Sequence, residues 1–316
     1  MDAYEFEDAK PVIISTVVVL NIVMNSLVIA VIARYPVLRE DRTGLFMFSL
    51  CVADLAGGCT AMPISAALCS RLTPIVRRTT DYLPEIQMFC FWWFGFSSLY
   101  SLSSVAVSKM VAILKPLRYE QLVTRNRCYG VIVFIWVVGA VQAAPKFWID
   151  ATWNLSMCTY RSPANNKFVS RIILSTYVIA VVIPNIVLIF ATFRIFVVVV
   201  RTQRQIAAQL QSMGTRVGDN DAVNPGLVTV QAIRSAKNIL IICFVSLALN
   251  VPLLTFAVLR HAIHDERITS VFRFGAMWIY ICNSFMNSFL YLVLYRSVRK
   301  KIVCMFTDMR DFIRCD

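Results

Sequence analysis

The sequence predicts an all-α membrane protein, a seven-transmembrane helix bundle followed by a short amphipathic eighth helix. Of its 316 residues, 58% are apolar and 16% are charged. The mean hydropathy of +0.67 would leave a soluble domain too little polar surface to cover itself. Uncharged stretches recur at Pro11 to Ala33, Ile86 to Ser108, Cys128 to Pro145, Ile172 to Phe193, Asn238 to Leu259 and Phe274 to Tyr295. A seventh lies between Arg42 and Arg71, broken only by Asp54. Crossing ~30 Å of hydrocarbon at ~1.5 Å per residue takes about 20 residues, and each stretch is near that or longer. An odd number of segments without strict in–out alternation excludes a β-barrel. Ten glycines without a G-x-y period exclude collagen, and charge is too sparse for a disordered chain.

The boundaries follow from the charges. They give an extracellular N-terminus over 1–11 and a bundle over 12–295, with spans at about 12–34, 43–67, 86–112, 128–149, 169–200, 233–260 and 268–295. An amphipathic helix over 296–306 and a cytoplasmic tail over 307–316 complete the chain. The net charge is +13, but its placement points to a membrane and excludes nucleic acid as a partner. With the N-terminus outside, 20 of the 31 Lys and Arg fall in the inner connections and tail, in groups of three, five, six and six. The positive-inside rule therefore predicts a multi-pass plasma-membrane protein with an outer N-terminus and an inner C-terminus. Asp2, Glu5, Glu7 and Asp8 stand where a cleavable signal needs positive charge, so span one is expected to act as an uncleaved signal. The sequon Asn154-Leu155-Ser156 falls in the second outer loop, making Asn154 the candidate glycosylation site. Arg296 to Phe306 reads as a basic amphipathic segment lying on anionic membrane lipid, with Cys304 a candidate for palmitoylation. A stop-transfer tail explains the same charges.

Membrane depth makes polar residues informative. A carboxylate at mid-span costs at least ~2.5 kcal/mol, so Asp54 is expected to face protein, ion or water. Asn25, Ser98, Asn283, Ser284 and Asn287 lie at similar depth, and Asn283 and Asn287 share one helix face. Pro145, Pro184 and Pro252 each remove a helix hydrogen bond and can kink their spans.

These residues resemble the rhodopsin-like (class A) G-protein-coupled receptors. The likeness is carried by Asn25-Ser26, Leu50-Cys-Val-Ala-Asp54, Trp136, Pro184, Pro252 and Asn283-Ser-Phe-Met-Asn287-Ser-Phe-Leu-Tyr291. Lys115-Pro-Leu-Arg-Tyr119 is similar to the family's second inner loop. The resemblance runs over about residues 12 to 306 and implies a receptor, not an enzyme, that shifts between two states on binding an extracellular ligand. Its implied partners are that ligand, a heterotrimeric G protein, arrestin and membrane lipid, with dimerisation left open.

Carried over residue by residue, Asp54, Ser98, Asn283 and Asn287 would hold a sodium ion as an allosteric ligand, and no other cofactor is implied. Tyr291 would be the tyrosine that swings inward on activation. Phe91, Phe94, Gly95, Asn250, Phe256, Trp278 and Ile281 fall at ligand-facing positions, a mostly apolar set that suits a small neutral or lipophilic ligand. Trp92 and Trp93 read as interfacial anchors. Where monoamine receptors carry an aspartate, this chain has Phe91.

Several motifs depart from the family. Ser108-Lys109-Met110 stands at the Asp-Arg-Tyr triplet, and lysine loses the planar donor fork of arginine. Ala232 lies near where some members carry the acid that holds that arginine, so no resting ion lock is expected. Asn250 replaces the tryptophan of Cys-Trp-x-Pro, Ser288 the proline of Asn-Pro-x-x-Tyr, and Thr192 a tyrosine of span five. The family's cysteine at the outer end of span three falls on Pro84, leaving Cys90, Cys69 and Cys158 as disulfide candidates, with Cys158 pairing to Cys90 or to Cys69.

Other classes fare worse. An opsin needs a lysine in span seven, and Ile281 occupies that place. A transporter should show internal repeats and paired intramembrane charges, but Asp54 is the one ionisable carboxylate within a span. An intramembrane enzyme needs clustered His, Asp or Cys, whereas His261 and His264 lie together in the third outer loop. The altered motifs leave a receptor-like decoy or dimer partner that does not couple as the alternative within the fold.

Overall fold

The computed structural model describes residues 3–69, 83–145, 152–154, 159–161, 171, 175–176, 178–213, 225–259 and 266–307. Among the described residues, seven helices are long and apolar enough to cross a membrane: Pro11–Arg34, Arg42–Leu68, Glu85–Leu114, Arg125–Ala143, Ile179–Gln205, Ala236–Leu253 and Gly275–Leu294. These are spans one to seven. The twelve-residue helix Arg296–Thr307 follows span seven directly. One feature was not expected: between spans four and five, β1 (Thr152–Asn154) pairs antiparallel with β2 (Thr159–Arg161), placing Trp153 opposite Tyr160. The sequon asparagine therefore ends a strand.

Each irregularity has a local cause. Span two breaks into Arg42–Cys59 and Ala61–Cys69 because Pro63 has no N–H for the Cys59 carbonyl and its ring crowds that turn. Thr60 sits at the break and returns its hydroxyl to the Ala56 carbonyl at 2.6 Å. Span five opens with a π turn, Val178–Val182, just ahead of Pro184, the usual accommodation of a missing donor. Span seven has no proline and stays helical throughout Glu266–Leu294.

Lipid tails are as apolar as leucine, so spans associate through close packing and polar contacts. The end of the bundle that carries Lys109 and Arg296, here the basic end, packs around Val28, Leu50, Leu102, Ile195, Ile242 and Tyr291. The other end packs Ile14 and Val17 of span one against Met62, Leu253, Trp278 and Tyr280. Between them runs a polar seam joining spans one, two and seven. The Ser288 hydroxyl donates to Asn25 Oδ1 at 2.6 Å, and Asn25 Nδ2 donates to the Ser284 carbonyl at 3.1 Å. Asn21 Nδ2 donates to Ser284 Oγ at 2.5 Å. Gly58 admits this network, since a Cβ there would stand 2.7 Å from Asn21 Oδ1.

A second seam ties spans two, three and four. Trp136 Nε1 donates to Ser49 Oγ at 3.1 Å, and Ser49 and Ser101 share a hydrogen bond of 3.0 Å. Trp93 is part of it and not a plain interfacial anchor: its indole donates to the Trp136 carbonyl at 3.0 Å.

Ser288→Ala takes the donor from a buried asparagine oxygen and should lower stability by about 1 kcal/mol. Gly58→Ala overpacks the same network and should lower it by roughly 1–3 kcal/mol. Thermal unfolding of the detergent-solubilised protein measures both, and unchanged midpoints would rule out the seam as the tie between spans one and seven.

Candidate ligand cavity and basic-end contacts

Spans two, three and seven diverge around a cavity of about 40 Å³, or about 500 Å³ with the open space at its mouth included. The enclosed part has room for an ion with a water or two, since one water needs ~10–15 Å³. Its wall is aromatic and apolar at Met62, Phe91, Phe94, Tyr280 and Ile281, and polar at Asp54, Ser98, Asn283 and Ser284. Two glycines open it. Gly57 and Gly95 both line the space, and a Cβ at Gly95 would stand 3.0 Å from the Tyr280 hydroxyl.

Asp54 is 5% exposed. Ser98 from span three and Asn287 from span seven face its carboxylate. Even so, Asp54 Oδ2, Asn283 Oδ1 and Asn287 Nδ2 are buried and make no hydrogen bond. Such atoms are costly at membrane depth, and a water or ion that supplied the missing partners would stabilise them.

The predicted residues divide. Phe91, Phe94, Gly95 and Ile281 line the cavity together with Asp54, Ser98 and Asn283. Asn287 adjoins Asp54 without lining it. Asn250 does not line it either: it is 1% exposed and its Nδ2 donates to the Ser246 carbonyl of its own helix at 2.7 Å. The short amide turns its Nδ2 back to its own helix, and its Oδ1 is buried without a hydrogen bond. Trp278 also stays out, buried in the cluster with Ile14 and Val17. The Phe256 side chain lies outside the described residues. Met62 and Tyr280 were missed. Tyr280, Asn283, Ser284 and Asn287 fall at three- and four-residue spacing, so the helical period alone places Tyr280 on the face that carries the asparagines.

The cysteine expectations change. Cys90 is a free thiol, so it does not pair with Cys158. It sits one turn and more inside span three and turns towards Thr60 of span two. The Cys69 and Cys158 side chains and the Asn154 side chain lie outside the described residues. Cys304 is disulfide-bonded in this structure.

At the basic end the Ser108 hydroxyl is buried and lies 3.0 Å from the Tyr119 hydroxyl and 3.2 Å from Thr43 Oγ1. Span three is thereby clasped between the start of span two and the turn that follows Lys115. The side chain of Ala232, the span-six position expected to lack the locking acid, lies outside the described residues. Lys109 Nζ stands 4.0 Å from Asp41 Oδ2, so the acid comes from the connection between spans one and two instead of from span six. Asp41 Oδ1 also caps span two through the Thr43 N–H at 3.2 Å. The ion pair is partly exposed on both sides, which limits it to about 0–1 kcal/mol. Beside it Arg42 pairs with Glu120 at 3.2 Å and lies over the Tyr119 ring. Met110 packs half-buried against the core. Tyr291 is buried with its ring 4.5 Å from that of Tyr295. Lys301 Nζ lies 3.9 Å over the Tyr35 ring, which fastens the amphipathic helix to span one.

Tyr119→Phe removes the hydroxyl shared by Ser108 and Thr43 and should cost about 1 kcal/mol. Glu120→Gln breaks only an exposed pair and should cost less than about 0.5 kcal/mol. Equal effects in thermal unfolding would refute the clasp.

Comparison with known proteins agrees with this architecture. The family model for the seven-transmembrane receptors of the rhodopsin family matches residues 24–291. The human adenosine receptor A2b is 35% identical over 136 residues, 42% of this chain and 39% of that receptor. The bovine adenosine receptor A2b is 29% identical over 58% of each chain. The dog histamine H2 receptor is 24% identical over 96% of this chain and 79% of the receptor. The matched region thus spans about two fifths to three fifths of the length of these adenosine receptors. The chain is a multi-pass membrane protein, not an enzyme, and belongs to the rhodopsin family of seven-transmembrane receptors.

Proposed function

We propose that this protein is a plasma-membrane receptor with its N-terminus outside and its basic end in the cytoplasm. A small, lipophilic extracellular ligand would bind in the cavity between spans two, three and seven, and a heterotrimeric G protein would dock at the basic end. The observation that carries the reading is the single cavity whose wall joins Phe91 and Phe94 to Asp54 and Asn283. Span seven supplies a wall of that cavity through Tyr280, Ile281 and Asn283 and bears Tyr291 in the core of the basic end. A ligand that shifts span seven therefore shifts both ends. Relatives named for adenosine and histamine support a ligand of small-molecule size.

A sodium ion at Asp54 belongs to this reading. Asp54 Oδ2 and Asn283 Oδ1 are buried acceptors without donors, and Ser98 adds a hydroxyl to the same wall. Oxygens of this kind suit a hard cation, which would offset the burial of the carboxylate. Binding would favour the resting state. Purified protein should unfold at higher temperature in sodium chloride than in potassium chloride, and Asp54→Asn should erase the difference. An unchanged difference would sink the sodium site.

A second reading, a receptor-like chain that does not couple, is favoured by the Ser108-Lys109-Met110 triplet and by the Lys109–Asp41 contact. Basal G-protein nucleotide exchange decides. The native chain should catalyse exchange, and Asp41→Asn, which keeps the helix cap but loses the charge, should raise it severalfold. Silence from the native chain, with activity restored by Ser108→Asp, Lys109→Arg and Met110→Tyr together, would instead establish the non-coupling reading.

A further inference from the structure

We infer that the lipid-facing groove between spans four and five binds a membrane lipid with an N-acyl sphingoid backbone, whose amide and hydroxyl meet Gln142, Tyr100 and the Ile179 carbonyl. The inference goes beyond the receptor reading and does not use the ligand cavity.

Spans four and five each pack against span three and, among the described residues, make little contact with one another. A groove open to lipid is left between them. Tyr100 of span three crosses it: its hydroxyl donates to Gln142 Oε1 at 2.7 Å and lies 3.5 Å from the Ile179 carbonyl oxygen. Two groups at this crossing lack partners. Gln142 Nε2 makes no hydrogen bond and is not enclosed by protein, so two N–H groups face the groove. The Ile179 carbonyl belongs to the π turn Val178–Val182. That register pairs each carbonyl with the N–H five residues on, and for Ile179 the residue is Pro184, which has none. Ile179 itself is half exposed. Unmatched polar groups are costly against hydrocarbon.

Their depth selects the part of a lipid that can reach them. Gln142 stands fifteen residues beyond Arg127, or ~22 Å along span four, in a hydrocarbon layer of ~30 Å. Ile179 begins span five at the same end. Both therefore sit near the boundary opposite the basic end, at the level of lipid backbones and below the head groups.

The hydrogen-bond inventory then selects the backbone. The groove offers two donors at Gln142 and two acceptors, the Ile179 carbonyl and the unused lone pairs of the Tyr100 hydroxyl. A glycerol diester has acceptors alone and leaves Ile179 unmatched. A sterol hydroxyl supplies one donor and meets one N–H. An N-acyl sphingoid supplies two donors, its amide N–H and its hydroxyl, and its carbonyl and hydroxyl oxygens accept both N–H groups. Its chains would run towards the bilayer centre along the exposed Val137, Val141, Ile183 and Ile186.

The test is native mass spectrometry of the purified full chain in detergent, titrated with sphingomyelin or with phosphatidylcholine of matched chains. These lipids share a head group and differ in the backbone. One sphingomyelin should be retained at roughly fivefold lower concentration than phosphatidylcholine, and an equal amount of cholesterol should displace little of it. Gln142→Leu should remove the preference, and Tyr100→Phe, which unties the Gln142 carboxamide, should reduce it. The 3-O-methyl ether of sphingomyelin lacks the donor hydroxyl and should bind the native chain about fivefold more weakly than sphingomyelin, a comparison that needs no variant to fold. Equal retention of sphingomyelin and phosphatidylcholine overturns the inference and leaves water as the partner of these groups. A preference that survives Gln142→Leu, displacement by cholesterol, or indifference to the methyl ether overturns it as well. A dimer that Gln142→Leu dissolves would give the groove to a second copy of the chain instead. G-protein exchange is not measured in any arm, so failure here leaves the receptor reading standing.

Discussion

The hydrogen bond from Ser288 to Asn25 Oδ1, 2.6 Å long, fixes where span seven lies, and much of the molecule's chemistry rides on span seven. Lipid offers a helix no reason to prefer one neighbour over another on hydrophobic grounds. Position and rotation must come from shape and from the few polar groups that find each other. Asn21, Asn25, Ser284 and Ser288 meet in one network, with Gly58 leaving room for Asn21. That rotation turns Tyr280, Ile281, Asn283 and Ser284 to one cavity. A span seven rolled by one residue would present a different wall and leave Asp54 facing apolar carbon.

The substitution at Ser288 is therefore more than the loss of a proline. Proline would remove a backbone donor and open the helix. Serine keeps the helix closed and adds a tether to span one. At the basic end the altered triplet likewise finds new partners. Ser108, where the family carries an acid, cannot hold a cation, but its hydroxyl joins Tyr119 and Thr43. Lys109 then finds its acid in Asp41, which is already fixed in place as a helix cap. The basic end thus carries a partly exposed ion pair beside a buried hydroxyl network.

The seven spans were readable because a membrane imposes length and charge limits that each segment must meet alone. The acid-and-asparagine group was readable too, since a carboxylate at that depth demands partners and the helical period puts Asn283 and Asn287 on one face. Contacts that depend on the relative rotation of two helices were not. Asn250 and Trp278 sit at positions of the right depth, yet one bonds back to its own helix and the other is buried in the apolar cluster with Ile14, Val17 and Leu253. Met62 reaches the cavity because Pro63 breaks span two beside it, a consequence seen only once the break is placed. Lys109 and Asp41 are far apart in sequence and come from different elements, and no local pattern links a loop acid to the end of span three. Cys90 matched by type but lies too far inside span three and faces span two.

Span seven is an element the two ends share: it lines the cavity with Tyr280, Ile281 and Asn283 and carries Tyr291 into the core of the basic end. A cation at Asp54 would draw Asn283 and Ser98 inward, pulling spans three and seven towards span two. That movement is resisted by the seam at Ser284 and Ser288, which holds span seven to span one. In the receptor reading proposed above, the resting state would be a balance between a cation that tightens the cavity and a tether that limits how far it can close. A ligand can bias such an equilibrium only through contacts that differ between the two states, and in the proposed reading the aromatic wall at Phe91 and Tyr280 would supply them.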